Sequence, residues 1–288
     1  MRMEWLEAFR QTAETKSLTK ASESLHISQP ALSKQIRNLE TELGAQLLTR
    51  SSVGVALTPA GRILLERSKV IANEVNAMKR EIALMQDEGK VDLTIGSWPS
   101  VATIFLPARI AGNRQATTKL EIKIRVFYCF HDFLTHLDNG ILDAAFFDDR
   151  GVKHAYHSTP AFTEPFYLFV NNHHPLYGSR DEVSFDEIKQ ETFVMLPDGC
   201  DVRMLVDEAF AARGEQLNVA LEIELGQSIL GFIHANLGIS ILPAIFISQM
   251  KPTIKAIPIQ DFESYRQISV ITRDEAVSKR LLSFMFNP

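Results

Sequence analysis

Two cysteines in 288 residues leave no material for a disulfide framework. No apolar run approaches the ~18 residues needed to span a bilayer, so no membrane role is expected. Glu4 and Glu7 break any secretory hydrophobic core near the start, which points to the cytoplasm. Also missing are a GxSxG elbow, a phosphate-gripping glycine loop and an HExxH pair, so no catalysis and no cofactor are expected. Histidine is present without a metal pattern. His154 and His157 are three apart but fall in an expected strand or loop, and His173–His174 precede Pro175 as a surface turn. A site needs three or four ligands.

Positive charge is scarce overall, at a net −5, and this looks wrong for a nucleic-acid binder until it is divided. Residues 1–70 carry ten Lys or Arg and seven Asp or Glu, a balance of +3, and the rest of the chain carries −8. The acid belongs to another part of the molecule. A mildly basic unit is expected to gain affinity by using several copies at once.

What the chain does have is concentrated in residues 17–61. Leu32, Ile36, Leu39 and Leu43 recur at steps of four, three and four, one apolar stripe of a helix. Ser28 supplies an N-cap hydroxyl, and Pro30 sits in the first turn, where a missing N–H costs nothing. A preceding helix, roughly 18–25, turns Leu18, Ala21 and Leu25 towards it. Upstream, Trp5, Leu6, Phe9 and Ala13 give a first helix its inner face. After Gly44, residues 47–50 and 55–57 read as a small hairpin about Gly54. This order describes a winged helix-turn-helix, which lays one helix in the major groove. Gln29, Ser33, Lys34 and Arg37 lie off the apolar stripe, and their donors and acceptors suit base edges and phosphates; Pro30, in the same first turn, is counted with them on the DNA-facing side. Arg50 on the hairpin would reach a flanking phosphate or the minor groove.

The segment resembles the DNA-binding region of LysR-type transcriptional regulators. The matching positions are Phe9, Ser17–Leu18–Thr19–Lys20–Ala21, Ser28–Gln29–Pro30–Ala31–Leu32–Ser33, Ile36, Leu39–Glu40 and Leu43–Gly44. Leu48, Arg50 and Leu57–Thr58–Pro59–Ala60–Gly61 complete them; the family often has Phe where Leu48 stands. The resemblance implies that Gln29, Ser33, Lys34 and Arg37 belong to the recognition helix and Arg50 to the wing.

Thr58–Pro59 reads as a cap followed by an N1 proline, starting a helix that runs without further proline to about Gln86. Leu64, Ile71, Val75, Met78, Ile82 and Met85 recur at near-heptad spacing, which favours a two-helix seam between copies of the chain. Residues 87–90 end it as a hinge. The resemblance implies the same: LysR-type regulators pair through this linker helix and commonly proceed from dimers to tetramers.

From Val91 onward strands alternate with helices, arguing an open α/β sheet with helices on both faces. Strands are expected near 91–96, 120–127, 141–148, 161–170, 192–196, 220–225, 238–242 and 268–272. This part resembles the effector-binding domain of the same family, carried by Leu93, Ile95–Gly96, Leu142–Asp143, His174–Pro175–Leu176 and Gly238–Ile239–Ser240–Ile241–Leu242–Pro243. The implied fold is an all-α winged helix-turn-helix (1–58), a linker helix and hinge (59–90), and an α/β periplasmic-binding-protein-like domain (91–288). That domain would divide into one subdomain of 91–161 plus 266–288 and another of 162–265, with a cleft between.

Open sheets bind ligands beyond the carboxyl ends of their strands. The rule selects Ser97, Trp98 and Ser100 after the first strand, Tyr128 and Cys129 after the second, and Phe147 and Asp148 after the third. From the other half it selects Pro197, Gly199, Cys200 and Asp201, with Gln227 and Ser228. Ser97 and Ser100 beside helical N–H groups suit a carboxylate or other oxyanion. Trp98, Tyr128 and Phe147 would form a flat apolar wall, and Asp148 would disfavour a ligand with several negative charges. The expected partners are operator DNA, a small-molecule effector, further copies of the chain and RNA polymerase. Two alternatives stay open: a thiol sensor through Cys129 and Cys200, and an α/β enzyme.

Overall fold

In the computed structural model residues 1–51, 54–86, 91–112 and 120–286 are described, and they fall into two units, Met1–Asn76 and Ala77–Pro288. The hinge expected at 87–90 lies outside the described residues.

The first unit is built from α1 (Met3–Thr15), α2 (Leu18–Ser24), α3 (Gln29–Leu43), the hairpin β1 (Leu48–Ser51) and β2 (Gly54–Leu57), and the beginning of α4 (Pro59–Gln86). Local chemistry sets α3 at both ends. Ser28 Oγ accepts from the Ala31 N–H at 3.3 Å, and Gly44, at φ +63°, closes the helix in the left-handed conformation glycine adopts freely. Phe9, Ala21, Leu32, Ile36, Leu39, Leu47 and Leu48 form the core, and each large side chain contributes about 1.5–3 kcal/mol of burial. Leu43 departs from the expected stripe: it is 44% exposed, in the last turn of α3. Glu40 Oε1 accepts from the N–H of Leu47 at 2.9 Å, fastening the hairpin to α3. Thr58 Oγ1 accepts from Gly61 N at 3.0 Å to cap α4. A Cβ at Gly61 would fall 2.1 Å from the Leu47 carbonyl oxygen, so glycine is what lets α4 start against the hairpin.

The second unit holds two hydrophobic cores. The first surrounds the sheet order β4 (Leu120–Val126), β3 (Val91–Ser97), β5 (Ala144–Phe147), β11 (Tyr265–Thr272) and β6 (His157–Asn171), with β3 parallel to both its neighbours and β11 antiparallel to both of its own. A π-helical turn (Val101–Phe105) leading into α5 (Leu106–Gly112), α6 (Phe130–Asp138) and α10 (Glu275–Phe286) belong to this half. The second core surrounds the far end of β6, flanked by β9 (Ser240–Pro243) and β10 (Ile254–Pro258), and the parallel pair β7 (Thr192–Met195) and β8 (Asn218–Glu222). Its helices are α7 (Phe185–Ile188), α8 (Asp201–Ala211) and α9 (Gly226–His234), with a 3-10 turn over Ala244–Gln249.

The sequence pattern suggests a single strand segment at 161–170; the observed β6 runs fifteen residues and serves both halves. Up to Pro165, opposite Tyr265, it pairs with β11; from Phe166 it pairs with β9, and from Tyr167 with β10. Proline lacks the N–H a ladder needs, which suits Pro165 to this change of partner. The α/β part is therefore two half-sheets joined through one shared strand rather than one open sheet.

Candidate functional site

In the first unit, α3 presents Gln29, Pro30, Lys34 and Arg37 off the side that buries Leu32, Ile36 and Leu39, with Ser33 half-buried. The Arg37 carbonyl accepts from Thr41 Oγ1 at 2.9 Å. Arg50 lies on β1, opposite Val55. Its side chain lies outside what is described.

Along α4, Leu64 and Leu65 pack on the first core, while Ile71 and Val75 are placed along the same helix. Met78 and Ile82 are 51% and 47% exposed, one turn apart. The side chain of Met85 lies outside the described residues. Ile63, absent from the expected seam, is exposed further still. Arg80, later on the helix, donates to Asp143 Oδ1 at 2.7 Å, and Asp143 also accepts from Thr94 N at 2.8 Å.

The cleft of the second unit centres on a side chain that sequence reasoning does not select. Arg266, on β11 directly opposite Glu164 of β6, is fully buried. Its Nε donates to Asp201 Oδ2 at 2.6 Å, and its Nη1 donates to Ser100 Oγ at 3.1 Å and Glu164 Oε1 at 3.2 Å. Glu164 Oε2 in turn accepts from Ile245 N at 2.6 Å. One guanidinium thus ties the first turn after β3, the start of α8, the shared strand and the 3-10 turn. The two acidic partners hold Arg266 protonated, while burial pushes the Glu164 carboxyl up and Arg266 opposes that rise.

Against Arg266 opens a narrow cavity. Of the thirteen expected effector residues, Trp98, Ser100, Tyr128, Pro197, Cys200 and Asp201 line it, joined by Glu224, Gly226 and Phe246. A Cβ at Gly226 would fall 2.6 Å from the Phe246 ring, which keeps α9 close against this wall. Two buried donors of this lining, Trp98 Nε1 and Arg266 Nη2, have no hydrogen-bond partner among the described residues.

The remaining candidates are placed differently. Ser97 is fully buried with its hydroxyl donating to the Trp98 carbonyl at 3.2 Å. Phe147 belongs to the first core, stacked on Phe133 at 5.0 Å between centroids, so the flat wall reduces to Trp98 and Tyr128. Asp148 lines a second narrow cavity that shares Trp98 and Asp201 with the first. It is held by Arg150, at 2.8 Å from Nε and 2.6 Å from Nη2, so its charge is already countered. Cys129, Gly199, Gln227 and Ser228 line neither cavity. Gln227 instead donates across to Thr103 of the π-helical turn.

Neither cysteine is bonded to another. Cys200 Sγ donates to Asp201 Oδ1 at 3.4 Å, and burial beside that carboxylate pushes the thiol up to about 12. A signal for Arg266 and Glu164 does exist in the sequence: each is a charge set among strand residues, in Tyr265–Thr272 and His157–Asn171.

Two family models match the chain: "Bacterial regulatory helix-turn-helix protein, lysR family" over residues 3–62 and "LysR substrate binding domain" over residues 86–285. A Bacillus subtilis (strain 168) HTH-type transcriptional regulator, YybE, is 34% identical over 245 residues, 84% of this chain and 82% of its own. The hydrogen peroxide-inducible genes activator of Dickeya chrysanthemi is 32% identical over 267 residues, 91% of this chain and 86% of its own. In fold, the chain is similar to full-length CbnR complexed with its target DNA (TM-score 0.67, 21% identity, 99% of each chain). It is likewise similar to a full-length variant of OxyR from Pseudomonas aeruginosa (TM-score 0.62, 22% identity, 99% of each chain).

Proposed function

We propose that this chain, which belongs to the LysR family of bacterial transcriptional regulators, converts occupancy of the Arg266 cleft into a changed grip on operator DNA. It is a DNA-binding regulator with an effector-binding domain. The finer reading rests on one observation: Arg266 links residues from both half-sheets directly beneath a cavity those halves share. A small molecule seated there touches both halves at once. It acts through unequal affinity for two arrangements of them, since equal affinity shifts nothing.

On the DNA side, Gln29, Pro30, Ser33, Lys34 and Arg37 enter the major groove and Arg50 contacts the flank. Two copies pair along Leu64, Ile71, Val75, Met78, Ile82 and Met85, with assembly onward to a tetramer, and RNA polymerase is the machine affected. Exposed apolar side chains at Ile63, Met78 and Ile82 support a partner on this helix. The chain works in the cytoplasm; among the described residues no helix is long and apolar enough to cross a membrane.

Relatives named as activators of hydrogen peroxide-inducible genes favour a second reading, thiol sensing through Cys129 and Cys200. A Cys200 thiol held protonated to about 12 counts against it, because the thiolate is the reactive form. The test is a footprint of the full chain on its own upstream DNA, with and without compounds that raise its melting temperature in a metabolite screen. A compound that stabilises the protein and alters the footprint supports the reading; a footprint indifferent to every stabilising compound overturns it.

A further inference from the structure

The last turns of α4 carry an attachment that neither the DNA face nor the cleft uses. The division between the two units falls inside this helix, after Asn76, so residues 77–86 belong with the α/β unit. Ala77 and Ala83 are small side chains on either side of Arg80. Ala77 is buried, and Ala83 packs on the core around β3 and β5. Between them Arg80 reaches the turn that follows α6: its Nε donates to Asp143 Oδ1 at 2.7 Å, and its Nη2 donates to the Gly140 carbonyl at 3.3 Å.

The receiving end is fixed in advance. Asp143 N donates to the Thr94 carbonyl at 2.9 Å, and Asp143 Oδ2 accepts from Thr94 N at 2.8 Å. This reciprocal pair holds the carboxylate against β3, with its side chain only 4% exposed. Burial pushes the Asp143 carboxyl up, opposed by the Thr94 N–H, by Arg80 and more weakly by Arg273. A carboxylate at this depth is costly to strip of its guanidinium, which favours the closed pair.

The two sides of these turns have separate tasks. Ala77, Arg80 and Ala83 follow at steps of three; at about 100° per residue, Met78 and Ile82 fall on the opposite side of the helix. Both are exposed. The same turns thus hold the α/β unit on one side and offer an apolar strip on the other. β3 runs on past Thr94 to Ser97, and Trp98 and Ser100 of the cleft wall follow it directly.

We infer that Arg80 and Asp143 are positioning residues: they clamp the tail of α4 to the half-sheet of β3 and β5, so that helix tail and half-sheet move as one body. DNA held at the other end of the same helix then constrains the α/β unit through this pair, and the α/β unit constrains the DNA grip in return. This rests on the reading of the first unit as the DNA-binding end and names the residues that join it to the sensing end.

Hydrogen exchange of the full-length chain, read by mass spectrometry, tests the clamp and its consequence separately. In the free chain, Arg80→Ala and Asp143→Asn are each expected to speed exchange over 77–86 by about tenfold. Arg80→Lys is expected to fall between parent and Arg80→Ala. The double variant is expected to be no faster than either single one, the mark of two groups acting as a pair. Arg80 keeps 21% of its side chain exposed, so Arg80→Ala leaves no buried gap if Asp143→Asn folds poorly. Unchanged exchange over 77–86 in Arg80→Ala overturns the clamp. Duplex from the chain's own upstream footprint is then added. In the parent, bound DNA is expected to slow exchange over 29–43, 77–86 and 140–143; in Arg80→Ala only the protection over 140–143 is expected to vanish. Protection that ends within the first unit of the parent, or that reaches 140–143 equally in Arg80→Ala, overturns the transmission and leaves Arg80 a structural residue. A chain that leaves the duplex unbound overturns the transmission together with the DNA reading, while the free-chain comparison still decides the clamp.

Discussion

Arg266 and Glu164 are direct partners across the antiparallel pairing of β11 with β6, a buried cation facing a buried carboxylate one residue before Pro165, the last residue of β6 that pairs with β11. Paired charges at such a depth add little net stability, because each gave up its hydration, but a half-removed cluster is costly. Arg266→Met therefore leaves Asp201 and Glu164 buried without their cation. The expected loss is about 3–5 kcal/mol in urea unfolding of the full chain. Adding Glu164→Gln and Asp201→Asn to the same chain is expected to restore most of it. A triple variant as unstable as the single one would show that Arg266 acts through packing instead.

On the DNA face, Arg37 and Lys34 are expected to fail differently when shortened. Arg37→Ala removes a side chain suited to a guanine edge, so operator affinity falls by about 1–3 kcal/mol and preference relaxes at one base pair. Lys34→Ala removes a phosphate contact, weakening all sequences alike and reducing the salt slope by about 1. Gel shifts over a salt series on operator and scrambled duplex distinguish the two. Equal losses on both duplexes for Arg37→Ala would take it off the base edges.

The contrast between these regions explains what is legible in the chain alone. The DNA-binding unit is local: Ser28, Pro30 and Gly44 bracket α3, and the Leu32–Ile36–Leu39 stripe packs on helices close by in sequence. Leu43 misleads because spacing shows which face a residue takes but not where the neighbouring helix ends. The cleft chemistry is non-local. Arg266 meets Asp201, Ser100 and Glu164 across separations of 65, 166 and 102 residues, which no periodicity encodes. Asp148 reads as a free charge because its partner is set by backbone geometry: Arg150, two residues on, folds back over it and stacks on Tyr265 at 4.2 Å. β10 and the short α7 leave no clear mark in the sequence, being five and four residues long.

Met78 and Ile82, successive exposed turns of α4, are expected to mark the contact between copies. Met78→Asp with Ile82→Asp places like charges along that contact while leaving α3 untouched. Sedimentation velocity is expected to show monomer where the parent chain is dimeric or larger. Operator affinity is expected to drop by about 10²–10⁴, the loss of the second attachment, with the affinity of one unit for a half-site unchanged. A double variant that still sediments as a dimer would move the seam elsewhere on the chain.

Cys200 separates a ligand sensor from a thiol sensor by its protonation. Its folded value is pushed from 9.0 up to about 12, first by burial and then by Asp201 beside it. For an acid raised in this way, the favourable contribution is whole below the unfolded value and disappears as pH climbs through the folded one. Against a Cys200→Ser variant, the parent is thus expected to lose additional stability between pH 9 and pH 12, the window those two values bound, and none near neutral pH. The same burial leaves almost no thiolate at neutral pH to attack peroxide or a disulfide reagent. Labelling of Cys200 by a thiol reagent is expected to wait for denaturant, and Cys200→Ser is expected to leave operator binding indifferent to peroxide, as in the parent. Mass spectrometry decides: a Cys129–Cys200 linkage formed in the folded chain by dilute peroxide would mean that the buried thiol is reached after all, and would restore the redox reading over the ligand one.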